Sequence, residues 1–162
     1  MKKLLLVGTC LVLIVAMLTG CFEGTKEFTC QDLTISVPSN MKDVSGESEY
    51  SRFTFALLSG KMGAAGIRES FADLGNNAAA KTTMDYANAV IKANNYTSMA
   101  VTRTEKDYVY FTYEATSEGI DFKYVAGCFK GEDAFWLVQF YTPAEDFNLN
   151  ELVLILDTVK LG

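Results

Sequence analysis

The sequence predicts an α+β domain, an antiparallel β-sheet with helices packed on it. Three observations carry that expectation. Four aromatic, β-branched runs follow one another over residues 98–142, separated only by the turn-prone "KD", "SEG" and "GED". Two stretches, 82–95 and 148–160, place apolar residues at helical spacing. The last strand run is apolar on both faces, so it needs cover on both sides, as by helices. Strands, helix, meander, helix is the order of a layered α+β domain.

Residues 4–18 form the only long apolar run, fifteen residues without a charge, preceded by Lys2 and Lys3. A permanent helical span needs about twenty apolar residues, so this run is short for one. A basic start, an apolar centre and small residues at the end describe a secretory signal peptide. Its end, Leu18, Thr19, Gly20 and Cys21, resembles the bacterial lipobox. That resemblance implies diacylglyceryl and palmitate groups on Cys21 and cleavage just before it. The expected layout is a signal peptide over 1–20, lipid attachment and a short tether over 21–27, and one domain over 28–162. A single acyl chain anchors only reversibly, whereas two chains on one glycerol meet the requirement for stable attachment. Removing the signal leaves 12 basic against 20 acidic residues. That acidic balance argues against nucleic-acid binding, which needs a basic face.

Within the domain, "EFTCQDLTISVP" reads as a short strand, a turn at Gln31 and Asp32, and a second strand alternating Leu33, Ile35 and Val37 until Pro38. "SNMKDVSGESEYS" is polar loop. "RFTFALL" and "MGAAGIRESF" are two further strands around "SGKMG", and "ADLGNNAAAK" is a loop. The helix over 82–95 starts at Thr82 or Thr83, shows Tyr86, Ala87, Val90 and Ile91 on one stripe, and ends at Asn94 and Asn95. The meander follows as "SMAVTRTE", "YVYFTYEAT", "DFKYVAGCFK" and "AFWLVQFYT", the last opposing Trp136, Val138 and Phe140 to Phe135, Leu137 and Tyr141. The closing helix, 148–160, carries Asn148 and Glu151 at capping-box spacing and a stripe of Leu149, Leu152, Val153, Leu156 and Val159.

A leading strand ending in "LTISVPSNM", a mid-chain helix, an aromatic meander and a closing helix together resemble the PsbP-like group. The resemblance covers residues 28–160 and rests on element order and general pattern, so it transfers no functional residue. It implies an α/β/α sandwich around an antiparallel sheet. It also implies binding of other proteins or support of an assembly more than enzymatic work.

The chemistry-bearing residues are sparse. Cys10 leaves with the signal and Cys21 is lipidated, so Cys30 and Cys128 remain. They are open to two readings, a disulfide in an exported domain or two buried thiols. Two cysteines about a hundred residues apart, with no histidine in the chain, do not build a zinc site. The missing histidine also removes the commonest general base and the usual triads.

Ser39 and Lys42 match S-x-x-K, but follow a strand-ending proline and lack the partner motifs; Lys81, Thr82 and Thr83 miss the glycine of K-T-G. Glu114, Glu118 and Asp121, then Glu132 and Asp133, then Glu145 and Asp146, sit at turns or before a helix. No calcium loop is recognisable, and Gly60, Gly63 and Gly66 are too loosely spaced for a phosphate loop. No cofactor is expected. The tyrosines and phenylalanines of residues 108–141 read as core, with an open aromatic groove as the other reading.

The expectation is therefore a lipid-anchored extracytoplasmic membrane lipoprotein. It would attach to the membrane through Cys21 and serve as a non-catalytic module binding a protein or small ligand. The alternatives are an envelope enzyme using carboxylates or Ser39 and Lys42, and a purely structural envelope component.

Overall fold

A computed structural model describes residues 24–96 and 100–162. The expected signal peptide at 1–20, Cys21 and the start of the expected strand at 98–105 lie outside the described residues.

The chain opens with β1 (Thr25–Cys30) and β2 (Leu33–Pro38), a hairpin whose turn residue Gln31 takes a positive φ of 53°. Then come β3 (Lys42–Asp43), β4 (Phe55–Leu58) and β5 (Gly63–Ser70). The short helix α1 (Phe71–Leu74) precedes α2 (Thr83–Asn94). The meander consists of β6 (Thr102–Arg103), β7 (Val109–Ser117), β8 (Ile120–Lys130) and β9 (Ala134–Pro143). α3 (Leu149–Leu156) and β10 (Lys160–Leu161) close the described chain.

These strands make two sheets. The larger has seven strands in the order β3-β4-β5-β9-β8-β7-β6, and the smaller has three, β1-β2-β10. Every pairing is antiparallel. The class is α+β, as the sequence predicts. The sheet order adds that the early hairpin β4–β5 joins the meander through β5 against β9, in register from Gly63 opposite Tyr141 to Ser70 opposite Ala134.

β9 is central and buried on both faces, for the reason its composition gave. Trp136, Val138 and Phe140 meet a layer built from β2 and α3, including Leu33, Ile35, Leu152 and Leu156. Phe135, Leu137 and Tyr141 meet α2 through Tyr86, Ala87 and Val90. The cover on the first face is a three-stranded sheet as well as a helix, where helices alone were expected. Phe28 links the layers, its ring 5.1 Å from Phe55, which lies 6.2 Å from Trp136.

α2 begins at Thr82, whose hydroxyl accepts from the Asp85 amide while the Asp85 carboxylate accepts from the Thr82 amide, a full capping box. It ends at Asn95 with a left-handed φ of 52°, a conformation asparagine tolerates. α3 is shorter than its stripe suggested. The Thr158 hydroxyl accepts from the Ser36 amide and donates to the Ile155 carbonyl, turning the chain so that Lys160 and Leu161 pair with Thr34 and Leu33. The open edge of β2 offered ladder hydrogen bonds that a final helical turn could not match. The expected loop at 72–81 also contains α1 and a 3-10 turn at Ala78–Ala80.

Candidate functional site

The sandwich has two ends, and each carries a cleft. At one end the β1–β2 turn meets the β8–β9 turn. β5 and β9 are paired so that Arg68 stands opposite Trp136. The Asp32 carboxylate accepts from Arg68 Nε at 3.0 Å and from the Trp136 indole at 3.1 Å. A second guanidinium nitrogen of Arg68 donates to Asp133. The guanidinium pKa is raised, chiefly by the Asp133 hydrogen bond. Asp32, Arg68, Lys130, Asp133 and Gly162 border an open cleft of about 680 Å³. Lys130 Nζ itself donates to the carbonyls of Ala79 and Lys81, fastening the loop before α2. Asp133, 72% exposed at its side chain, is the more exposed of the two carboxylates paired with Arg68. This network pins the small sheet to the large one.

At the other end a cleft of about 180 Å³ lies among Asn40, Lys61, Thr142, Asp146, Asn148 and Glu151. Lys61 pairs with Asp146 at 3.1 Å on its rim. Ser39 is exposed on the turn beside it, and Lys42 is exposed on β3. The two are therefore not one turn apart on a helix, the arrangement S-x-x-K chemistry uses.

Under the α2 face runs a stack of tyrosines. Tyr96 lies 4.0 Å from Tyr113 between ring centroids, Tyr113 lies 4.4 Å from Tyr124, and Tyr124 lies 5.1 Å from Tyr141. Tyr113, Tyr124 and Tyr141 are buried, so these rings are core, not a groove. Burial drives the Tyr113 and Tyr141 phenol pKa values upward. Tyr113 donates to the Gln139 side-chain oxygen at 2.8 Å. The Tyr141 hydroxyl is buried without a hydrogen-bond partner among the described residues.

The two cysteines do not form the disulfide that was one of their two readings. Both are free thiols. Cys30, on β1, points its sulfur at the Thr54 carbonyl 3.7 Å away, on the small-sheet side. Cys128, on β8, is fully buried on the α2 side. The seven-stranded sheet stands between them, and bridging would need Cα atoms within about 7 Å with converging side chains.

The carboxylates singled out in the sequence are turn and rim groups. Glu114 faces Lys123 across β7 and β8 at 3.2 Å, and Asp121 accepts from the Thr116 hydroxyl at 2.6 Å. Among the described residues, no group of three or more Cys, Asp and Glu side chains is placed to share a metal ion. Gly63 and Gly66 serve packing. An added Cβ would lie 2.0 Å from the Tyr141 ring at Gly63 and 2.0 Å from the Phe55 ring at Gly66.

Sequence reasoning missed Glu69. It sits on the α2 side of β5, where it accepts from the Tyr86 hydroxyl, and burial raises its pKa. The signal was present: alternation along "GAAGIRES" puts residues 65, 67 and 69 on one covered face.

No protein-family model matches the chain, and no curated protein matches it. Solved structures do. The solution structure of cyanobacterial PsbP (CyanoP) from Synechocystis sp. PCC 6803 aligns over 96% of this chain and 99% of its own. The TM-score is 0.55 at 12% identity. The fold is PsbP-like. A crystal structure from Bacteroides thetaiotaomicron VPI-5482 aligns with TM-score 0.59 at 12% identity, over 85% of this chain and 48% of that one. This chain thus spans about half the length of the Bacteroides protein. At such identity the likeness concerns backbone architecture.

Proposed function

We propose that this chain is a lipid-anchored lipoprotein at the extracytoplasmic face of the cell membrane. Its PsbP-like domain would work as a non-catalytic module that binds a protein or small ligand. The observation that carries this is positional. The lipobox-like Leu18, Thr19, Gly20 and Cys21 stand immediately ahead of the first strand, which begins at Thr25. A chain cut before Cys21 would begin at its anchor and enter its fold within a few residues.

The non-catalytic half of this reading is supported by how several of the carboxylates are engaged. Asp32, Glu114, Asp121, Asp133 and Asp146 are each spent on a structural hydrogen bond or ion pair. Ser39 and Lys42 lie on an exposed turn and a two-residue strand.

The test is expression of the full chain and of Cys21→Ala in a bacterial host, with mass spectrometry of the N-terminus and detergent-phase partitioning. The parent is expected to carry acyl chains on Cys21 and enter the detergent phase, and the variant to stay unmodified and uncleaved at that site. The same acylated N-terminus in the variant would end the anchor reading. Substitution of Ser39 or Lys42 by Ala is expected to leave function intact; loss of a defined turnover with the fold intact would overturn the non-catalytic half.

A further inference from the structure

From the strand registers and the position of Gly24, we infer that one particular end of the sandwich rests on the bilayer, with Ile120 at its tip dipping into the headgroup region. This rests on the lipid-anchor reading above and adds an orientation to it.

Three residue steps separate Cys21 from Gly24, a reach of about 11 Å even when fully extended. The end of the domain that carries Gly24 is therefore held against the lipid. The strand registers identify everything else at that end. The Ser39 amide donates to the Gly24 carbonyl at 3.2 Å, and Thr25 pairs with Pro38. Asn40 shares its cleft with Lys61, Thr142 and Asn148. Leu58 pairs with Gly63, Gly63 with Tyr141, Phe122 with Pro143, and Ser117 with Ile120. The β4–β5 turn, the β7–β8 turn and the approach to α3 therefore all lie at the anchored end. Cys30 opposite Leu33 and Lys130 opposite Phe135 mark the other end, where Asp32, Arg68 and Asp133 meet.

The anchored end carries a feature suited to lipid. Ile120, 42% exposed, is one of two large apolar side chains left in solvent among the described residues; the other, Leu154, lies midway along α3. Ile120 follows a two-residue hairpin turn in which Glu118 and Gly119 both take positive φ, 49° and 79°. Ile120, paired with Ser117, is thus the first strand residue beyond the tip of that hairpin. The domain is acidic and gains nothing from anionic headgroups, so an apolar tip and the acyl chains would have to supply the contact. The Asp32, Arg68 and Asp133 cleft then faces away from the membrane, open to a partner.

The chain has a single tryptophan, Trp136, fully buried, and this makes the test direct. Ile120→Trp and Glu132→Trp are made in the full chain, purified with the lipid attached, and placed in phosphatidylcholine vesicles with or without brominated acyl chains. Mass spectrometry of the same preparation reads the modification on Cys21. The emission added by Ile120→Trp should fall by about half in brominated vesicles, as an interfacial side chain would. The emission added by Glu132→Trp should not change. A lipidated protein in which Glu132→Trp is quenched, or neither variant is, overturns the orientation and leaves the anchor standing. An unlipidated Cys21 overturns the anchor and the orientation with it.

Discussion

The Tyr86 hydroxyl of α2 donates to the Glu69 carboxylate of β5, joining the helix layer to the large sheet. Burial pushes the Glu69 carboxyl pKa up, and the hydrogen bond from Tyr86 offsets part of the rise. A carboxyl whose folded pKa is raised holds its proton more firmly in the folded chain than in the unfolded one. Its stabilisation is complete below the unfolded pKa and is lost as pH rises through the folded pKa. Glu69→Gln has no such loss. Urea midpoints taken from about pH 4 to about pH 7 should move in favour of the variant as pH rises. A constant difference between the two proteins across that range would count against the account.

Tyr141 presents the opposite balance. Its ring lies over Gly63 and packs on Tyr124, while its hydroxyl is buried with nothing to bond among the described residues. Leaving such a group unsatisfied costs about 1–3 kcal/mol. Tyr141→Phe keeps the ring and removes the hydroxyl, so it should raise stability, by roughly 1 kcal/mol. Denaturation showing the variant to be clearly less stable would mean the hydroxyl has a partner after all.

Leu152 and Leu156 lie one turn apart on α3 with 1% and 0% exposure, against the layer of β2 and β9. Truncating either to Ala leaves a cavity and should cost roughly 2–5 kcal/mol. Gly66→Ala has the inverse fault, since the Phe55 ring occupies the place of the new methyl. Overpacking of that kind costs about 1–3 kcal/mol. Thermal melts of the three variants should all fall below the parent, whereas Leu154→Ala, at an exposed position, should differ little.

Both cysteines should be found reduced. Alkylation of the denatured protein without a reductant, followed by peptide mapping, should label Cys30 and Cys128 in full. In the native protein Cys128 should resist, because it is buried and burial raises its thiol pKa far above neutrality. A cross-linked peptide joining the two would refute the structure at that point.

What the sequence made legible was local or periodic. The alternation in Leu33, Ile35 and Val37, the Thr82 cap, the two-sided burial of β9 and the core role of the tyrosines are each written within a few residues. The layers escaped because they depend on pairings distant in the chain. Nothing in "GAAGIRES" says that its neighbour is β9, and nothing in "VKLG" says that it will leave a helical stripe to join β2. The Asp32, Arg68 and Trp136 cluster was hidden for the same reason, its members coming from three separate strands or turns. Cys30 and Cys128 show the limit from the other side: an even count supplies a pairing, but only the sheet between them decides whether it forms.

The placement of β10 has a consequence for when the molecule can fold. β2 finds one ladder partner in β1 at once, but its other edge waits for Lys160 and Leu161, and the Asp32 carbonyl waits for the Gly162 amide. The first and last segments of the domain are thus parts of one layer. A chain threaded N-terminus first through a secretion pore cannot complete that layer until its tail has emerged. Closure across so long a separation is slow, because the entropy of the intervening loop is lost before the contacts form. If the chain is exported as proposed, the small sheet is the layer that closes last, after the large sheet has its strands in hand.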